Sequence, residues 1–449
     1  LQETIDLALR LNPDVKTARI QRTMDKYSLV VAKNEFEFQY SLTGSAGITQ
    51  SIADGNHNAW QARYNVIPGV NYKTAYGTQL SLEMNNSIAD TYNPSLTFKV
   101  MQPLMKGFGP AVVQAALENA YTNDKVSSLS LKTTIINTVT QVINDFNKVA
   151  ATKRNLDVQV SNLNRKIETR DQTLAKINAG ELAQTNLIQS EADLSNAQAA
   201  VERARNQLSS DTLSLLSEIG LDSEANIEIV PDTPMTKFTL PTLEKAKTLA
   251  VDNNIGYLAS ELAIESTKRS VLTAEDGRRW QLNLSAAQTV GGGVGSGQNA
   301  NLSSLSNGAN MNSSISLDLT IPIDDVSAKQ SEINAKGALE QATILLKQSK
   351  RQLEISITQK VYALESEKKE VSLNEQSVDY HLQDVENAKK LYKAGRLSQF
   401  ELSNRQDNLT TAQQQLLESR YQYFGDLVAL DAMLSHTLVT WGISMDEDQ

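Results

Sequence analysis

Four runs of apolar residues spaced by sevens decide what this chain can fold into. Val142, Val149, Leu156, Leu163 and Ile177 lie at multiples of seven, with Arg170 the one polar interruption. Leu187, Leu194, Val201, Leu208 and Leu215 form a second run. Ile357, Leu364, Val371, Val378, Val385 and Tyr392 form a third, and Leu402, Leu409, Leu416, Tyr423 and Leu430 a fourth. A seven-residue repeat turns one stripe of a helix toward a partner and packs helices along their length. A helix from Pro110 to Asn178 would run ~100 Å at 1.5 Å per residue, longer than a compact domain needs.

The runs belong to a duplication. KINAGELAQTNLIQSEADL (176–194) answers LYKAGRLSQFELSNRQDNL (391–409), with Ala179-Gly180 on Ala394-Gly395 at an offset of 215 residues. LQETIDLALRLN (1–12) resembles LEKAKTLAVDNN (243–254). Each half therefore reads as helix, strands, long helix, turn, long helix. The first repeat spans 1–225 with a helical hairpin over 110–219, and the second spans 243–442 with a hairpin over 328–436. Each Gly takes the left-handed conformation that ends a helix. Asn12-Pro13 caps and restarts a helix that reaches about Asn34. Residues 220–242, with Ile227-Glu228-Ile229-Val230, Pro231, Pro234 and Pro241, form an extended linker, and 443–449 an acidic tail.

Four segments change period from seven to two. Phe36, Phe38, Tyr40 and Leu42 alternate with polar residues, as do Leu96, Phe98 and Val100. Trp280, Leu282, Leu284 and Ala286 do so in the second half, then Ile315, Leu317, Leu319 and Ile321. These predict strands at about 36–50, 95–102, 280–290 and 314–323, each with one apolar and one polar face. Pro103 and Pro322 mark their ends, and residues 291–314 form a Gly/Ser/Asn-rich loop. Residues 51–94 add a further hairpin, with an alternating run at Leu80, Leu82 and Met84, placed either in the sheet or at its mouth. Strands of this length and pattern suit a membrane barrel with lipid outside and water inside. Four strands cannot close a barrel, and open edges are not tolerated in lipid, so two, three or four copies must assemble.

Composition removes other classes. A net charge of −10 offers no basic footprint for nucleic acid, and the absence of cysteine removes disulfides and thiol chemistry. His57, His381 and His436 have no metal-ligand spacing, and no nucleophile–base set or phosphate loop is present, so neither an enzyme nor a cofactor is expected. Aromatics at 5% suit narrow helix seams better than a thick core. The opening at Leu1 rather than Met is expected to reflect an N-terminal segment that was processed or left out.

The duplicated Ala-Gly turns, the Leu-Ala…Asn-Pro opening and the stretch FKVMQPLMKGFG (98–109) with its partner LDLTIPID (317–324) resemble the TolC family of outer-membrane factors. QPLMKGFG resembles a sub-branch with a typical QPLLRGFG. The resemblance implies an α+β membrane protein: a coiled-coil-like helical barrel continuous with a twelve-stranded β-barrel formed by a homotrimer. Such a protein is a passive exit duct in the outer membrane, reaching into the periplasm. It serves drug efflux or type I secretion with a periplasmic adaptor and an inner-membrane pump. The alternative is a soluble periplasmic coiled-coil adaptor or structural protein.

The resemblance also implies a gate. Glu401 takes a family aspartate-ring position and Asn404 a second one, so one acidic layer remains. Tyr392 matches the tip tyrosine and Asn186 its partner on the first tip, while the family arginine falls on Leu397 beside Arg396. Glu401 also precedes Arg405 by four residues, the spacing of a helix-surface ion pair. Adaptor docking falls on Ala179, Gly180, Ala394 and Gly395.

Overall fold

A computed structural model describes the chain except residues 51, 54–55, 58–59, 89–91, 226–239, 293–301, 306–309 and 445–449. Ile227–Val230, most of the Gly/Ser/Asn-rich loop and most of the acidic tail lie outside the described residues. The helices are α1 Gln2–Leu11, α2 Pro13–Asn34, α3 Pro110–Val113, α4 Ala115–Asn178, α5 Thr185–Ile219, α6 Leu243–Asn253, α7 Ile255–Gly277, α8 Val326–Lys393, α9 Gln399–Met433 and α10 Thr437–Thr440. The strands are β1 Gln39–Thr49, β2 Ile52–Ala53, β3 Asn56–His57, β4 Gln61–Lys73, β5 Gln79–Ile88, β6 Tyr92–Pro103, β7 Gln281–Gly291 and β8 Met311–Thr320. Among the described residues no helix is long and apolar enough to cross a membrane.

Two compact units result, and each takes residues from both repeats. The first comprises Leu1–Gln21, Leu129–Leu258 and Gln348–Gln449. Its core joins Ile5, Ala8 and Val15 to Val139, Val142, Ile143 and Phe146 of α4, Leu215 and Ile219 of α5, and Phe424 and Val428 of α9. A second cluster holds Ala246 and Ala250 of α6 against Ile357, Val361 and Leu364 of α8. Every residue of the four sevenfold runs is buried or half-buried, which is what a stripe facing a partner helix requires.

The duplication extends to single hydrogen bonds. Asn12 Oδ1 accepts the N–H groups of Asp14 (2.8 Å) and Val15 (3.1 Å), so it caps α2 as its position before Pro13 implies. Its Nδ2 donates to the Glu218 carbonyl at 2.6 Å, at the end of α5. Asn254 does the same in the second repeat: Oδ1 accepts from Tyr257 N–H (3.0 Å) and Nδ2 donates to the Met433 carbonyl (3.1 Å). One amide thus starts a helix and ties off the end of a hairpin, twice.

The second unit, Arg22–Ser128 and Ala259–Lys347, holds the sheet. Its order is β1-β4-β5-β6-β7-β8, antiparallel throughout. The four expected strands are present, but β1 starts at Gln39, past Phe36 and Phe38, and β7 starts just after Trp280. The larger difference is the count. The hairpin within 51–94 enters the sheet between β1 and β6, so the sheet has six strands where four were expected. The pairing keeps the faces in register: Ala62, Tyr64, Val66, Pro68, Val70 and Tyr72 of β4 share one face with Tyr40 and Leu42 of β1.

That face is uncovered. Tyr40 is 79% exposed, Leu42 74%, Ile315 80% and Leu317 62%, while their polar neighbours occupy the other side. An apolar face this wide in water is a liability unless something apolar covers it.

Candidate functional site at the helical tips

The two Gly turns have the same geometry. Gly180 (φ 77°) donates its N–H to the Ile177 carbonyl, and Glu181 donates to Lys176, both at 2.9 Å. Gly395 (φ 70°) donates to Tyr392 (3.1 Å), and Arg396 to Leu391 (2.9 Å). This pair of bonds satisfies the last carbonyls of a helix and needs a left-handed residue at the Gly position. Ala179, Gly180, Ala394 and Gly395 are all exposed.

The helices that restart after the turns differ. α5 has no side-chain cap at Gln184. α9 opens with a reciprocal cap: Ser398 Oγ accepts from Glu401 N–H (3.2 Å), and the Glu401 carboxylate accepts from Ser398 N–H (3.1 Å). The backbone N–H of Ser398 is the main cause that holds the Glu401 carboxyl below the usual range. Its carboxylate thus serves the helix start, and the i,i+4 pair with Arg405 does not form, because Arg405 turns to Asp384 instead. Asn404, one turn on, is exposed, as are Glu401 and Arg396.

Tyr392 is the buried member of the set, 2% exposed, beside Ala388, Leu402 and Leu397. Its hydroxyl is hydrogen-bonded to Thr173 Oγ1 at 2.9 Å. Lys176 Nζ donates to the Tyr392 carbonyl at 2.6 Å and lies 4.4 Å from the ring centroid. Asn186 is not its partner here, since the Asn186 amide donates to the Ala183 carbonyl at 3.2 Å within its own turn. The tips are joined instead by Thr173 and Lys176, both on α4.

These two residues begin a polar seam that the apolar heptads do not reveal. Gln159, Asn162, Lys166, Thr169 and Thr173 of α4 are buried, as are Gln399, Ser403, Gln406 and Thr410 of α9. Lys166 Nζ donates to Ser403 Oγ (2.6 Å) and pairs with the Asp407 carboxylate (2.8 Å). Ser403 Oγ in turn donates to Asp193 of α5 at 2.7 Å. Gln406 Nε2 donates to Thr169 Oγ1 (3.2 Å), and Arg165 to Thr410 Oγ1 (2.9 Å). On the outer side of α8, Lys389 holds Glu168 at 2.9 Å, the main cause lowering that carboxyl's pKa. A signal existed: 159, 166 and 173 are sevens, as are 162 and 169, 399 and 406, and 403 and 410. The repeat is polar, so an apolar heptad does not reveal it.

Among the described residues no group of His, Cys, Asp or Glu could hold a metal ion. Residues 253–436 match the outer membrane efflux protein family. A search of curated protein sequences finds no match. Among solved structures, the outer membrane protein VceC of Vibrio cholerae superposes with a TM-score of 0.75 at 14% identity, covering 96% of this chain and 95% of that one. The MtrE outer membrane channel of Neisseria gonorrhoeae, in its open state, gives 0.72 at 14% over 100% and 90%. The CmeC outer membrane channel of Campylobacter jejuni gives 0.71 at 13% over 99% and 86%. At such identities the likeness is one of fold.

Proposed function

We propose that this chain, whose residues 253–436 match the outer membrane efflux protein family, is a TolC-like outer-membrane exit duct. It is a conduit rather than an enzyme, set in the outer membrane and extending into the periplasm. The observation that carries this reading is the sheet: an exposed apolar face across all six strands, bounded by the open edges β1 and β8. Lipid covers such a face and neighbouring copies close such edges. A soluble adaptor would carry both into water, where they invite aggregation.

In this reading three copies close the ring, and the paired helical hairpins line a periplasmic passage. A periplasmic adaptor docks on Ala179-Gly180 and Ala394-Gly395, where exposed small residues leave room for a partner helix, and an inner-membrane pump supplies the cargo. The gate is the tip contact, with Tyr392 held by Thr173 and Lys176 rather than by Asn186. Opening requires α9 and its tip to leave α4, and the polar seam lets water replace the bonds that break. Glu401, backed by neutral Asn404, supplies a single carboxylate layer that favours cations at the entrance. Light scattering of detergent-solubilised protein, corrected for detergent, should give three copies. A stable monomer in plain buffer would sink the duct.

A further inference from the structure

The added hairpin changes the wall of the barrel. β4 and β5 have 13 and 10 residues, and a membrane-spanning strand needs about 9–11. Both are hydrogen-bonded on each side, and their apolar residues continue the face of the other four strands. One row shows it. Phe38 stacks on Tyr72 at 4.7 Å, Tyr72 stands opposite Leu80, Leu80 opposite Val100, Val100 opposite Ala286, and Ala286 opposite Ile315.

QPLMKGFG (102–109) is the seat of this hairpin. The β4–β5 turn places Gly77 at φ 90°, where a Cβ would fall 2.5 Å from the Gly107 carbonyl oxygen. Gly109 N–H donates to the Tyr76 carbonyl, the rings of Tyr76 and Phe108 lie 6.4 Å apart, and the Thr78 hydroxyl donates to Gln102. Gly107 N–H donates to the Asp276 carboxylate at 2.7 Å, which fixes the motif to α7. A hairpin that only decorated the mouth would not need a dedicated socket at the start of α3.

We propose that the β4–β5 hairpin is part of the membrane wall, and that β8 of one copy pairs with β1 of the next. Strand directions alternate, so β1 and β8 run oppositely and meet as an antiparallel pair. Resting on the duct reading above, three copies of six strands then close an eighteen-stranded barrel. Barrel diameter grows roughly linearly with strand number, so the lumen is about one and a half times as wide as twelve strands allow. The second copy is the partner of both edges, and lipid covers the apolar face.

The test is a nitroxide scan of residues 79–88 in full-length protein reconstituted in phospholipid vesicles, with 39–49 of β1 scanned in parallel. Collision with oxygen should peak at positions 80, 82, 84, 86 and 88, and collision with a water-soluble nickel chelate at 79, 81, 83, 85 and 87. If 79–88 meets the chelate throughout while 39–49 alternates, the duct stands with four strands and the hairpin proposal fails. If neither scan alternates, the duct reading fails with it. A variant with 50–91 replaced by a short turn lets β1 pair directly with β6. Its barrel, imaged by electron microscopy, should lose about a third of its diameter. An unchanged diameter would overturn the proposal.

Discussion

Two stretches of α4 are buried along their length and built from opposite materials. Between Ile135 and Ala150 the buried side chains are Ile135, Ile136, Val139, Val142, Ile143, Phe146 and Val149, with Thr138 and Asn147 between them. Between Gln159 and Thr173 they are Gln159, Asn162, Lys166, Thr169 and Thr173. Separating the first stretch exposes apolar side chains worth about 1.5–3 kcal/mol each. Separating the second exchanges protein hydrogen bonds for water at about 0.5–1.5 kcal/mol each. The same helix therefore holds fast along one length and can be parted along the other. In the duct proposed above, this lengthwise contrast lets the tips part while the hairpins stay anchored.

The contrast breaks most plainly in the apolar stretch. Phe424, fully buried against it, should cost about 3–5 kcal/mol as Phe424→Ala, read as a large drop in Tm. A small drop would mean that this core is not what anchors the hairpins. Next comes the cap of α9. Ser398→Ala removes the hydroxyl half of the reciprocal cap and should cost about 1 kcal/mol, visible as a lower Tm with amide exchange rising first at the start of α9. Equal exchange in both proteins would leave the cap without a role.

A third effect depends on pH. Burial, then the hydrogen bond with Asp426, raises the Glu367 carboxyl from 4.5 to about 7, with Lys360 opposing and Glu370 adding to the shift. A carboxyl raised in the folded state contributes stability below its unfolded value, and that contribution is lost as pH rises through about 7. Glu367→Gln should therefore raise Tm at pH 8 and leave it unchanged at pH 4. A gain of the same size at both would assign the effect to shape, not charge. The smallest effect on stability sharpens the comparison most. Gln406 is fully buried, its amide bonded to Thr169 and its Oε1 unpartnered. Gln406→Leu should shift stability by no more than about 1 kcal/mol, since an apolar group replaces a half-satisfied one. It should also make openings rarer in single-channel records. Openings as frequent as in the wild type would show that the polar seam does not set the gate.

Much of this was legible in the sequence, for reasons that differ by element. The hairpins could be read because sevenfold spacing and the Ala-Gly turns are local signals that the duplication doubled. Asn12 could be read as a cap, because Pro13 follows it. The place of β4 and β5 could not, since alternation gives a strand its faces but not its neighbours. The gate was half legible. The resemblance implies Tyr392, and Tyr392 is buried at the tip. The resemblance implies a partner on Asn186, one helix later than the residues that hold it, because Thr173 and Lys176 stand before the turn on α4 and carry no apolar signature. Spacing also offers Glu401 to Arg405, whereas the start of α9 claims its carboxylate first.

The central claim is a duct whose entrance is held shut by the Tyr392–Thr173 contact at the end of a polar seam. Single-channel conductance in a planar bilayer tests it most directly, with wild type beside the double variant Tyr392→Phe, Thr173→Val. Removing two hydroxyls that bond to each other leaves no unpaired donor, so the fold should remain intact. The account predicts small, infrequent conductance for the wild type and a several-fold rise in open probability for the variant. Identical records from the two proteins, or no conductance from either, would contradict it.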